Sequence, residues 1–178
     1  MNKLFFVFDV ESIGLHGEGF AVGGGLYQSN SAALWEFRFA CDPNECIGNE
    51  FDRDWVRRNV PILEVTHRGP IALRTAFWAE WMKARRDLAV MVADCGWPVE
   101  SRFLEWCISD NVEKRKGNGP YPFHELASYL SAAGFDPLAK YDRHPSELPV
   151  HDPLADARQS ARLLSMAIFK LTERKANP

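Results

Sequence analysis

The sequence predicts an α/β protein built on a mixed five-stranded sheet: a three-strand antiparallel meander, two parallel strands beside it, and flanking helices. Three observations predict this. The first forty residues hold three strand-like runs joined by short Gly- or Ser-bearing connections. From Pro70 onward, helical periodicity alternates with short apolar runs. At 178 residues the chain suits a single domain over 1–178, large enough for a substantial core.

In chain order, Leu4 to Val10 is a continuous apolar run rich in Phe and Val, the pattern of a strand buried on both faces. "GFAVGGGLYQ" is a second strand weakened by glycines. "ALWEFRFA" alternates, with Leu34, Glu36 and Arg38 on one side and Trp35, Phe37 and Phe39 on the other. "CDPNECIGNEFDRDW" reads as a polar loop with a helical turn. Leu73, Phe77, Trp81, Ala84 and Leu88 recur at helical steps behind Pro70, which suits a first turn. "LAVMVAD" is a fourth strand, followed by "CGWP" and a helix from near Val99. "NVEKRKGNG" reads as a charged loop, Tyr121 to Phe123 as a short last strand, and "ELASYLSAAG" as a helix stopped by Gly134. The final helix runs from about Pro153 to Glu173, with Leu154, Ala157, Ala161, Leu164, Ile168 and Leu171 on one stripe, ahead of a frayed "KANP" tail.

Composition narrows the function classes. A formal net charge of -3 argues against a generally basic nucleic-acid binder, but not against an enzyme that meets phosphates through metal ions and local basic patches. Four cysteines without a CxxC pair make a structural zinc site a poor reading and reduced thiols a good one. The "LFFVF" run is too short to span a bilayer, so the expectation is a cytoplasmic protein with no membrane partner.

Chemistry concentrates at the two ends of the chain. Asp9 and Glu11 fall one residue apart at the end of the first strand, hence on one face. Two adjacent carboxylates raise each other's pKa unless a cation lies between them, and Mg²⁺ or Mn²⁺ favours such oxygens. Alone, the pair equally suits a solvated strand end. Near the other terminus, "HDPLADAR" sets His151 five residues before Asp156, which stands in the first turn of the last helix, where the macrodipole favours an acid.

Taken together, "DVESIGL" from Asp9 to Leu15 and the His151–Asp156 spacing resemble the DEDDh branch of the 3'-5' exonucleases, the group of RNase T, oligoribonuclease and the proofreading exonucleases. Its first motif reads DxExxGL and its last a His, four residues and an Asp. The resemblance implies an RNase H-like fold and a metal-dependent 3'-5' exonuclease acting on single-stranded RNA or DNA with a free 3' end. It implies that Asp9, Glu11 and Asp156 hold two Mg²⁺ or Mn²⁺ ions, that His151 is the general base, and that nucleoside 5'-monophosphates are released. It also implies that backbone amides around Ser12, Ile13 and Gly14 meet the terminal 3' hydroxyl and that Leu15 packs on the last base. The family's middle Asp has two counterparts here. Strand geometry points to Asp94, and motif register points to Glu100 in "VESRFL". Small relatives often work as homodimers, which the apolar, Trp-rich helix after Pro70 would allow. RNA and DNA are not distinguished by any motif. An RNase H-like endonuclease, or a catalytically weak nucleic-acid-binding module on the same fold, are the competing readings.

Other features have plainer explanations. Trp55, Trp78 and Trp97 could stack bases, yet Trp78 and Trp81 suit core packing. Trp97, in the loop after the fourth strand, suits a substrate wall as well as a structural role. "DRDWVRR", "KARR" and "EKRK" are small basic clusters of the kind that track phosphates or simply face solvent. His124 and Glu125, near the short last strand, suit a structural role.

Overall fold

A computed structural model describes residues 3–176. Five strands form one mixed sheet: β1 (Leu4–Ser12), β2 (Gly19–Gln28), β3 (Ala33–Ala40), β4 (Val90–Ala93) and β5 (His124–Glu125), in the order β3-β2-β1-β4-β5. β1, β2 and β3 pair antiparallel, whereas β4 runs parallel to β1 and β5 parallel to β4. The helices are α1 (Glu50–Asn59), α2 (Gly69–Arg86), α3 (Ser101–Ser109), α4 (Val112–Arg115), α5 (Leu126–Ala133) and α6 (Pro153–Ala176). The expected sheet is therefore present.

β1 is buried on both faces because its alternate residues feed two cores. Phe6, Phe8 and Val10 pack with α2 and α3 in an aromatic cluster that includes Phe37, Phe77, Trp81 and Phe103. Phe5 and Val7 face the opposite side and pack with Leu126, Leu130, Ala161 and Leu164 of α5 and α6. Asp9 and Glu11 continue this second face. The strand thus turns from apolar to acidic along one side, where α6 begins.

Several boundaries differ from the expectation. β1 extends to Ser12, and the last strand is His124–Glu125 rather than Tyr121 to Phe123. The polar stretch expected as a loop with a helical turn ends inside the ten-residue α1, capped by Asn49, whose side chain accepts from the Asp52 amide at 2.9 Å. Of its apolar residues Phe51, Trp55 and Val56, only Val56 is buried. The charged "NVEKRKGNG" segment includes α4, with Asn111 as its cap. Leu88 is not on the α2 stripe: it follows the helix with a φ of 57° and is exposed. Trp78 and Trp81 are buried, so the Trp-rich face expected to support a homodimer lies inside the fold. α6 continues past Glu173 to Ala176; of the "KANP" tail, residues 177–178 lie outside the described residues. Among the described residues, no helix is long and apolar enough to cross a membrane.

Candidate active site

The sheet and α6 bring both ends of the chain together. β1–β4 pairing ends at Phe8 opposite Ala93, so Asp94 follows directly beyond the strand end beside Asp9. Glu100 closes a wide helical turn, Gly96–Glu100, that enters α3, and it is buried. α6 opens on "HDP". Asp152 Oδ1 accepts from the amides of Leu154 and Ala155 at 3.0 and 3.3 Å, and Pro153 fills the first helical position, where no amide donor is needed. This cap aims Asp156 of the first turn back at β1.

The approach requires bare backbone on the sheet. Gly23 pairs with Asp9 across β1 and β2. A Cβ at Gly23 would collide with the Leu154 nitrogen and the Pro153 carbonyl carbon. With a side chain there, the start of α6 could not descend on the strand. Ion pairs hold the same arrangement from outside: Arg38 to Asp152 at 2.5 Å, Arg158 to Glu36 at 2.6 Å and Arg162 to Glu147 at 2.6 Å.

Five carboxyl groups converge. Burial first, then the charges of Glu100, Glu11, Asp156 and Asp94, raise the Asp9 carboxyl well above the usual range. Burial with Asp156, Glu100 and Asp152 pushes Glu11 up to about 8. Glu100 rises to about 7, chiefly through burial, with its own amide and that of Val10 pulling the other way and Asp94 adding. Asp94 is an exposed residue whose carboxyl is nonetheless flanked by protein; that desolvation and the Asp156 charge raise it, while Arg143 opposes. Burial also raises Asp156, against hydrogen bonds from Arg143 and the His151 backbone. Both candidates for the fourth acid therefore act on Asp9, and Glu100 acts more strongly.

His151 sits over this cluster. Its φ of 63° is left-handed, a conformation rare for residues other than glycine, and its amide donates to Asp156 Oδ2 at 3.1 Å. Its Nδ1 stands 3.5 Å from Glu11 Oε1, and its ring meets Trp55 edge-on at 5.2 Å. Glu11, His151 and Asp156 each offer one ligand atom, all within 4.8 Å of one another. The donor set, carboxylate oxygens plus an imidazole, with negative charge in excess, fits a hard divalent cation.

The "SIGL" residues divide. Ile13 is fully buried, and its amide donates to the Glu18 carbonyl at 3.0 Å. The Gly14 amide donates to the Ser12 carbonyl at 2.9 Å, so neither amide is free in this conformation. Ser12, Gly14 and Leu15 line a cleft of about 360 Å³ together with Glu11, His151, Val99, Asp52 and Trp55. Trp97 is exposed but lines a different cleft, of about 480 Å³, with Phe123, His124 and Tyr129. Glu125 there accepts from the Gly96 amide at 2.9 Å and steadies the turn that leads to Glu100.

Sequence reasoning missed Arg143, Asp152 and Asp52. Asp152 had a local signal, an Asp directly before a helix-opening Pro. Asp52 had the capping pattern with Asn49. Arg143 had none. The basic clusters are partly consumed within the fold: Arg53 binds backbone carbonyls, Arg57 binds Glu50 and Asp54, and Arg115 is buried.

No protein-family model matches the chain, and no curated protein matches it in sequence.

Proposed function

We propose that the chain is a metal-dependent 3'-5' exonuclease on an RNase H-like fold, removing nucleoside 5'-monophosphates from single-stranded nucleic acid. The observation that carries this reading is the convergence of Asp9, Glu11, Glu100 and Asp156 beneath His151, from β1, the turn before α3 and the start of α6. Asp9, Glu11 and Asp156 would hold Mg²⁺ or Mn²⁺, with Glu100 favoured over Asp94 as the fourth acid because it is buried and acts more strongly on Asp9. Bound, two such ions would neutralise the phosphate and stabilise charge on the attacking and leaving oxygens.

The chain's own residues supply the rest. His151 is positioned to take a proton from water as its oxygen adds to phosphorus; an imidazole does this well near neutral pH. The O3' of the upstream nucleotide leaves and gains a proton. Arg143 holds one oxygen of Asp156 and the His151 amide holds the other, which fixes that carboxylate's orientation. Leu15, Val99 and Trp55 give the neighbouring cleft apolar walls for a base.

The test uses 5'-labelled single-stranded RNA and DNA of one sequence with Mg²⁺, Mn²⁺ or EDTA. A metal-dependent ladder that shortens from the 3' end, and is lost with His151→Ala in a protein that still folds, is expected. Internal cuts would replace this reading with an endonuclease. Intact strands in every condition would replace it with a binding module.

A further inference from the structure

The cleft beside the acids is lined by a carboxylate, Asp52, that the proposed chemistry does not use. Glu11 and His151 belong both to the acid centre and to this cleft, so the two are continuous. An exonuclease that releases a 5'-monophosphate holds that phosphate at the acids, and the departing nucleoside occupies the space next to them. α1 presents two residues to that space, Asp52 and Trp55, three apart and therefore on one helix face.

Asp52 is placed closely. Its carboxyl group lies against Gly14, where a Cβ would collide with all three carboxyl atoms. Asn49 Nδ2 donates to Asp52 Oδ2 at 2.6 Å, which orients the group and leaves Oδ1 for a further donor. A carboxylate in this position cannot favour phosphate; it favours a hydrogen-bond donor. A nucleoside offers donors of two kinds, sugar hydroxyls and base amines. Trp55, Leu15 and Val99 make the apolar walls that suit the base. Asp52 instead abuts the Ser12–Gly14 turn next to Glu11, toward the phosphate end, and the sugar is the part that joins phosphate to base.

Resting on the exonuclease reading, we propose that Asp52 accepts a hydrogen bond from the ribose 2'-hydroxyl of the terminal nucleotide, so that the site selects RNA 3' ends. A terminal deoxynucleotide would leave Oδ1 of this carboxylate enclosed by ligand without a donor, the situation that discriminates most strongly between substrates with and without a hydroxyl.

The first experiment is calorimetric binding of AMP, 2'-deoxy-AMP, 3'-deoxy-AMP and UMP to the folded protein with Mn²⁺, where no turnover occurs. AMP and UMP should bind about tenfold tighter than 2'-deoxy-AMP, the scale of one hydrogen bond to a charged group. Asp52→Ala, which keeps the backbone cap to Asn49, should weaken AMP to the 2'-deoxy level and leave 2'-deoxy-AMP unchanged. A second measurement needs no variant. One 2'-deoxy sugar at the terminal position of an RNA strand should slow removal of that nucleotide in a single turnover, whereas the same change one position upstream should not slow that first removal. Absence of AMP binding, equal binding of AMP and 2'-deoxy-AMP, a preference that survives Asp52→Ala, or discrimination that follows the base or the 3'-hydroxyl overturns the proposal. Selective AMP binding through Asp52 in a protein that shortens no strand would uphold it and overturn the exonuclease reading instead.

Discussion

Arg143 donates a hydrogen bond to Asp156, and the guanidinium thus meets one oxygen of an acid that also faces the carboxyls of Asp9, Glu11 and Asp94. The same nitrogen donates to the Glu147 carbonyl at 2.8 Å, which ties the pair to the loop before α6. A cation fixed inside a cluster of carboxylates offsets repulsion that the fold alone does not relieve.

Replacing Arg143 with Ala should therefore destabilise the metal-free protein by about 2 kcal/mol, the range for a lost hydrogen bond to a charged group. Excess Mg²⁺ should restore part of the loss. Urea unfolding in EDTA and in Mg²⁺ measures both, and an unchanged midpoint in EDTA would show that the pair contributes nothing.

Stability of the metal-free protein should fall as pH rises. Glu11 and Glu100 have folded-state pKa values raised to about 8 and about 7 from ordinary values of 4.5. A raised value favours the protonated form in the folded state, so the stabilising contribution is complete below about 4.5 and disappears as pH climbs through 7 and then 8. The melting temperature in EDTA should decline over that window, and the gain on adding Mg²⁺ should be larger at its alkaline end. A flat or rising profile in EDTA would contradict the crowding of these acids.

Gly14→Ala should disrupt the cleft in two separable ways. The position has a φ of 67°, which costs a residue with a Cβ on the order of 1–3 kcal/mol, and the added methyl also meets the Asp52 carboxyl. Adding Asp52→Ala should recover the part due to collision but not the part due to φ. Thermal unfolding of both single variants and the double variant reads the coupling; strict additivity would mean that the two residues do not press on each other.

Gly23→Ala should act on the centre through α6 and not through any change to an acid's own side chain. The methyl would push the first turn of α6 off the sheet, at a cost of about 1–3 kcal/mol for overpacking, and move Asp156 away from Glu11. Mn²⁺ affinity should drop while the fold survives. Native Mn²⁺ affinity in a folded Gly23→Ala protein would rule out the idea that this glycine sets the spacing of the centre.

What was legible in the sequence follows how local each signal is. β2 and β3 match their expected runs to the residue because burial and alternation act over neighbouring positions. The pairs Asp9–Glu11 and His151–Asp156 are visible for the same reason, each being a short spacing, the first within β1 and the second across the start of α6. α1 was read only as a helical turn because its three apolar residues, Phe51, Trp55 and Val56, stand among six charged ones in a segment of ten. Arg143 was hidden because a loop residue thirteen positions from its partner leaves no repeat in the chain. Asp94 and Glu100 stayed open because strand end and helix start converge on the same carboxylate, and neither run of letters shows the other's position.

Asp9 belongs to the first strand of the chain and Asp156 to its last helix, and Gly23 lets one settle on the other. During synthesis, β1 leaves the ribosome long before the segment that carries Asp156 is made. Until α6 docks, Phe5 and Val7 lack the part of their cover that Ala161 and Leu164 supply, and the acids of β1 lack Asp156 and His151. The centre is therefore completed only when α6 docks, so a chain halted before that segment, still threaded on the messenger that encodes it, carries the acids of β1 without Asp156 and His151.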